Sequence, residues 1–330
     1  MENDFDFIAI GDITTDAFIR IKQASVYYDN KDDEEKICLT NGSKIPYESL
    51  TLAPAVGNSP NAAVSAARLG LSSALVTDLG NDEFGEQDVV TLKKNGVDTR
   101  FVKMHKGMKS NYHFVLWHKA ERTILIKHEE YPYELPDMGN PKWLYFSSVG
   151  ENSLPYHHAI AQYLNEHPNV KLAFQPGTFQ IKLGHEELKD LYARTEVFFC
   201  NKEEAELILG MKEDDIPTLA RKMSDLGPKI SVITDGPRGA FAFDGTDVWF
   251  MPPYPDPAPP FERTGAGDSF SSTFTAALAL GKSVDEALSW GPINSMSVVQ
   301  HIGAQEGLLT RDKLEEYLAN RPEDYQPKKA

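Results

Sequence analysis

Apolar residues fall along this chain in short runs separated by stretches of helical spacing. Ile8–Gly11, Ala74–Thr77, Trp143–Phe146, Leu172–Phe174, Val197–Phe199 and Ile230–Ile233 are nearly continuous apolar runs, as expected of strands buried on both faces. Between them lie helix-like segments: Pro60–Leu69 closed by Gly70, Glu83–Lys94 ahead of Gly96, then His157–Asn165, Glu186–Tyr192 and Glu203–Leu209. This alternation predicts an α/β fold, a three-layer α/β/α core with a mostly parallel sheet. The end of the chain reads as successive helices over Asp268–Leu280, Val284–Trp290, Ile293–His301 and Arg311–Leu318.

Two regions break the rhythm. Residues 17–55 hold the strand-like Phe18–Ile21, the acidic run Asp29–Glu35 and further polar chain. Residues 110–128 hold strand-like Tyr112–Trp117 and Thr123–Ile126 around a polar turn. Antiparallel pairing of these segments would build a small β lid over one edge of the core, with 29–35 as a solvated loop. Tyr112, Phe114 and Leu116 alternate with His113, Val115 and Trp117, so the lid would be apolar on both faces. One face can cover a site; the other either seats a second copy, as a homodimer, or tolerates solvent. No internal repeat interrupts residues 1–330, which read as one domain, and the proline-rich 252–260 reads as an extended connector.

Composition narrows the chemistry. A hydrophobic fraction of 41% with 25% charged residues is that of an ordinary globular protein. No apolar run is long enough to span a bilayer. A formal net charge of −16 argues against nucleic-acid and anionic-membrane partners, although local backbone amides can still hold a nucleotide. Cys38 and Cys200 fit no metal or redox spacing, and the acidic first residues lack a secretory pattern; together they predict a cytoplasmic location. His157-His158 has no accompanying ligand cluster and reads as part of an exposed helix.

The segment Arg263-Thr264-Gly265-Ala266-Gly267-Asp268-Ser269-Phe270 carries most of the chemical signal. Two glycines permit a tight turn, and a helix of small residues starts at once, so its free amides and dipole would hold an anion. Asp268 stands at the mouth; the residues alone leave it either a proton acceptor or a helix cap. No Gly-x-x-x-x-Gly-Lys-Ser/Thr loop is present.

Gly265-Ala266-Gly267-Asp268 resembles the C-terminal motif of the ribokinase-like family, the phosphofructokinase-B type of carbohydrate and nucleoside kinases. Further segments resemble that family in order along nearly the whole chain. They are Gly11–Asp16, Gly57-Asn58-Ser59-Pro60-Asn61, Asn201-Lys202-Glu203-Glu204, Thr234–Gly239 and Gly303-Ala304. The resemblance implies transfer of the γ-phosphoryl of ATP, with Mg²⁺, to a hydroxyl of a sugar or, alternatively, a nucleoside. It implies Asp268 as base and the amides of Gly265, Ala266 and Gly267 around the migrating phosphoryl. Asp16, Gly57 and Asn61 would bind the acceptor, and Glu204 would hold Mg²⁺ through water. Asn201, Thr234, Gly236, Gly239 and Gly303 would flank the nucleotide, Gly303 beside the adenine. The acidic run at 29–35 favours a neutral acceptor. There are departures: Val56 replaces a first glycine, Pro292 lies near a frequent asparagine, and Glu262-Arg263 stands where Asp-Thr is common. That Asp often helps hold a monovalent cation, which leaves cation activation in doubt. A catalytically silent sugar- or nucleotide-binding protein would lack the base or the turn. A dinucleotide-dependent oxidoreductase would need a glycine fingerprint that Gly11-Asp12-Ile13-Thr14 does not supply.

Overall fold

The apolar runs assemble as neighbours in one sheet. A computed structural model describes residues 5–31, 34–119 and 121–330. Its ten-stranded sheet runs, edge to edge, through Lys328–Lys329, Val248–Met251, Ala240–Phe243, Ile230–Thr234, Thr195–Asn201, Lys171–Phe174, Trp143–Phe146, Phe7–Ile10, Ser73–Gly80 and Val102–His105. From Ile230–Thr234 to Val102–His105 the pairing is parallel; the first three strands add antiparallel at the other edge. Phe7–Ile10 shows why the strands read as continuous apolar runs. Phe7 and Ala9 enter the core on one face of the sheet, and Ile8 and Ile10 enter the core on the other. The chain starts on a central strand, winds to one edge through 73–80 and 102–105, then returns to build the other half from 143–146. The order therefore reverses between Phe7–Ile10 and Trp143–Phe146, and a crevice opens outside the carboxyl ends of such strands.

A four-stranded sheet, ordered Tyr47–Val56, Thr14–Ile21, Tyr112–His118, Glu121–Leu125, forms the lid. Its outer pairs are antiparallel as expected, but Thr14–Ile21 and Tyr112–His118 run parallel. The second of these is reached by a crossover through the Glu83–Lys94 helix and Val102–His105, so it enters in the same direction as the first. The acidic run is not a single loop. Asp29 ends the strand Ser25–Asp29, and 34–35 begin its partner Glu34–Cys38, with Lys36 Nζ 2.8 Å from Asp29. Asp32 and Asp33 lie outside the described residues.

Two further readings change. The expected helices Val284–Trp290 and Ile293–His301 are one helix, Val284–Val298, that runs through Pro292. Burial of nearly every residue from Ala287 to Val298 outweighs the lost backbone bond. Gly291 makes the packing possible, since a Cβ there would stand 2.7 Å from the Phe270 ring. His157 is buried rather than exposed: Nδ1 donates to the Ser153 carbonyl (2.7 Å) and Nε2 accepts from the Gln180 amide (3.0 Å). Burial pushes its pKa down to about 4, so it is a neutral core residue. No helix among the described residues is long and apolar enough to cross a membrane.

Candidate active site

The glycine turn is built by contacts that no other residue type permits. Gly265 has φ 78°, and a Cβ there would lie 2.3 Å from the Ala304 Cβ. The chain then enters the Ala266–Ala279 helix, with Gly265 as its N-cap. The Ala266 N–H reaches the Arg263 carbonyl only at 3.4 Å, a weak bond at the limit of hydrogen-bond geometry.

Asp268 sits in the first helical turn and does not cap the helix. Oδ2 accepts from Asn61 Nδ2 (2.8 Å) and Oδ1 from Gln175 Nε2 (3.1 Å). Both amides are themselves oriented. Asn61 Oδ1 accepts from Gln305 Nε2 (3.0 Å), which also donates to the Ala55 carbonyl (2.7 Å). Gln175 Oε1 accepts from the buried Tyr145 hydroxyl. Desolvation raises the Asp268 pKa above the usual carboxylate value, against the opposing pull of the two amide bonds and the Arg122 charge.

Asp16 lies on the lid strand Thr14–Ile21, facing His113 across the parallel pair, with His113 Nδ1 3.3 Å from its Oδ1. Among the described residues neither Asp16 Oδ1 nor His113 Nε2 has a hydrogen-bond partner. Asp12, just past the first core strand, accepts from the Tyr133 hydroxyl at 2.9 and 3.1 Å and has His128 Nδ1 3.3 Å away. Gly57 has φ 122°, and a Cβ there would stand 2.8 Å from the Asp12 carbonyl. It lets the Asn58–Arg68 helix, which carries Asn61, begin close against the end of the first strand.

Asp88 pins this corner. Its Oδ1 accepts from Thr15 Oγ1 (2.9 Å) and from the N–H of Ala55 (2.7 Å), a non-glycine residue at φ 58°. Burial pushes the Asp88 pKa up to about 7. The folded chain therefore keeps a proton that the unfolded chain releases near pH 4, and stability falls as pH rises from about 4 to 7. Asp88→Asn keeps the acceptor oxygen and cannot ionise. Its melting temperature is expected to exceed that of the parent at pH 8, by the equivalent of up to about 4 kcal/mol, with the gap narrowing as pH falls and closing only below about pH 4. A gap that stays constant across pH would contradict this.

A cleft of about 350 Å³ opens on the other side of the turn. Thr234, Gly236 and Gly239 line it together with Ala266 and Gly267, so residues from two motifs are gathered in one place. Pro292, Phe270, Arg263 and Met296 also line it. Asn201 is not in its wall but pairs in register with Thr234 on the neighbouring strand. Asn201 and Glu204 form a reciprocal cap of the Lys202–Leu209 helix: Asn201 Oδ1 accepts from the Glu204 N–H (2.8 Å) and Glu204 Oε2 from the Asn201 N–H (2.9 Å). Burial raises the Glu204 pKa, and the charge of Asp268 adds to the rise, which ties Glu204 electrostatically to the site. Gly303 is not brought to the cleft. A side chain there would meet Ala53 and Phe18 of the lid, and its N–H donates to Glu262 Oε2 (3.3 Å). No cluster of three or more His, Cys, Asp or Glu suited to a metal occurs among the described residues.

The sequence motifs missed Gln175, Gln305 and Arg122. Gln175 had a signal: it follows an apolar strand whose carboxyl end faces the crevice. Gln305 and Arg122 had none.

Comparison with known proteins agrees with this geometry. Residues 26–311 match the family described as pfkB family carbohydrate kinase. The chain is 25% identical to ribokinase of Bacillus subtilis over 269 residues, covering 80% of this chain and 87% of that protein. It is 25% identical to 5-dehydro-2-deoxygluconokinase of the same organism over 295 residues, covering 82% and 89%. The structure of Arabidopsis thaliana ribokinase complexed with ribose and ATP superposes with a TM-score of 0.80 at 19% identity, covering 96% of this chain and 99% of that one. A Cryptococcus neoformans ribokinase in complex with ADP gives 0.75 at 23%, covering 94% and 98%. The oriented carboxylate, the glycine turn and the strand-end cleft thus stand on a ribokinase-like fold, and the chain belongs to the pfkB family of carbohydrate kinases.

Proposed function

We propose that residues 1–330 work as one kinase domain that phosphorylates a hydroxyl of a neutral sugar, with Asp268 as general base. The observation that carries this is the placement of Asp268. Both of its oxygens are held by amides, at the start of a helix whose first residues also line the 350 Å³ cleft. ATP would lie in the cleft beside Thr234, Gly236 and Gly239. The amides of Gly265, Ala266 and Gly267, at the positive end of the helix, would face the migrating phosphoryl. The acceptor would lie on the Asp16, Gly57 and Asn61 side, with one hydroxyl against Asp268. There the raised basicity of a desolvated carboxylate favours proton abstraction as the oxygen attacks. Asn61 and Gln175 fix which way the carboxylate points. The lid would exclude water that could otherwise accept the phosphoryl.

Mg²⁺ fits this donor set only as an ion held mainly by phosphates and water. Glu204 spends one oxygen on the cap and leaves the other for a water ligand. Bound there, the ion would offset phosphate charge. With free Cys38 and Cys200, the cytoplasm is the proposed compartment.

A neutral acceptor is favoured because the acceptor side presents the carboxylates of Asp12, Asp16 and Asp268, while Arg122 is already paired with Glu262. ADP release should be measured across pentoses, hexoses, sugar phosphates and nucleosides. A neutral sugar should give the highest kcat/KM. A clear preference for a sugar phosphate would overturn the acceptor class, and a preference for a nucleoside would move the chain to the other branch of the reaction.

The outer face of the lid supports self-association. Leu52, Ala17, Phe114 and Leu125 stand in register across its four strands, and Leu52, Phe114 and Leu125 are exposed. Sedimentation at micromolar concentration should give a dimer; monomer alone would remove this reading.

A further inference from the structure

Glu262 leads into the glycine turn, where the family resemblance would put a carboxylate for a monovalent cation. It is 2% exposed, and its oxygens are already engaged. Oε1 accepts from Arg122 Nη1 (3.0 Å), from the Thr264 N–H (2.6 Å) and from the Thr264 hydroxyl; Oε2 accepts from the Gly303 N–H. A hard cation needs several oxygens converging on it. Here N–H and O–H donors converge on the carboxylate instead, so the residues present do not fit such an ion.

The positive charge that a buried carboxylate requires comes from the lid. Arg122 lies on the strand Glu121–Leu125, opposite Trp117, on the face that also carries Asp16 and His113. Its neighbours dock at the same place. Trp117 meets Phe261 edge to face at 5.3 Å, and Phe18 stands over Gly303. Three lid residues thus press on the two segments that frame the catalytic turn. The charge of Arg122 also reaches Asp268 and favours its ionised form.

We infer that Arg122 is a positioning residue that takes the place of a monovalent cation at Glu262 and couples the lid to the glycine turn. With the lid down, the guanidinium neutralises Glu262 and the carboxylate holds Thr264 and Gly303 in place. With the lid up, Glu262 loses its counter-charge and the turn loses its anchor. Phosphoryl transfer therefore needs no potassium and depends on the Arg122–Glu262 pair. The catalytic part of this inference rests on the kinase reading above; the ion pair itself does not.

The test compares the parent chain with Arg122→Gln, Arg122→Lys, Glu262→Gln and the double variant Arg122→Gln/Glu262→Gln. Each is studied in potassium, sodium and tetramethylammonium chloride at equal ionic strength. Thermal melting needs no activity. The parent should melt alike in all three salts, and Arg122→Gln should melt lower by about 5 °C or more. The double variant should regain most of that loss, because no unpaired carboxylate remains. In the ADP-release assay, using the acceptor panel above, parent turnover should agree within about twofold among the salts. Arg122→Gln should lose about tenfold or more in kcat with the KM for ATP little changed, and Arg122→Lys should restore part of it. Parent melting or turnover that rises with potassium would overturn the replacement of the cation. An Arg122→Gln variant that melts and turns over like the parent would overturn the coupling. If no acceptor in the panel releases ADP from the parent, the kinase reading fails, while the melting cycle still decides whether the pair exists.

Discussion

Asp268→Asn is expected to lower kcat by about 10²–10⁴-fold, roughly 3–5 kcal/mol of barrier, while KM for ATP and acceptor stays within a few-fold. The substitution preserves shape and removes the ability to take a proton. It leaves the helix start intact, because Gly265 is the N-cap and the Asp268 side chain bonds to Asn61 and Gln175 instead. Its effect on stability is the sum of two opposed changes. A buried charge disappears, which relieves the desolvation that raised the Asp268 pKa. One of the two amide donors now faces an NH₂ group, which costs about one hydrogen bond. The melting temperature should therefore stay close to that of the parent at pH 8, and a loss of turnover cannot be assigned to unfolding. A variant that folds normally and keeps near-parent kcat would remove Asp268 as the base.

Gly265→Ala is expected to damage both fold and turnover. The left-handed backbone at φ 78° costs an L-residue about 1–2 kcal/mol. The new methyl would also stand 2.3 Å from the Ala304 Cβ, so one of two backbones must move. Overpacking of this kind costs about 1–3 kcal/mol. The displaced segment carries Ala266 and Gly267 on one side and Gly303, bonded to Glu262, on the other. Misplacing such groups by about 1 Å is worth on the order of 10² in rate. Calorimetric melting should fall by several degrees and kcat by about 10²-fold. Gly267→Ala is the matched control, because a Cβ there meets nothing within 4 Å and its effect on melting should be small. Unchanged kcat in Gly265→Ala would show that the tight turn is not required for transfer.

Some sequence motifs carry both a functional and a structural reading, and at Asn201 and Glu204 the fold displays the structural one. Asn201 and Glu204 form an ordinary capping box, yet the same box sits beside the strand end that carries Thr234. The exposed reading of His157 fails for a definite reason. His157 reads as exposed from the sequence because no ligand cluster accompanies His157-His158. The Ser153 carbonyl and the Gln180 amide satisfy both ring nitrogens, so burial costs little. Gly303, expected beside the adenine, stands against Phe18 of the small sheet and outside the wall of the cleft.

The sequence by itself determined the parallel core, the glycine turn with Asp268 and the presence of a small β sheet outside the main rhythm. Apolar runs, glycine spacing and small-residue helices report local burial and local backbone need, and these are properties of neighbouring residues. Only the tertiary structure decided what orients Asp268 and what joins the small sheet to Glu262. Asn61 and Gln175 meet Asp268 from 207 and 93 residues away, Gln305 meets Asn61 from 244 away, and Arg122 reaches Glu262 across 140. Such pairs leave no period in the chain. They exist because the strand order reverses beside Phe7–Ile10 and brings separate strand ends and the lid to one crevice.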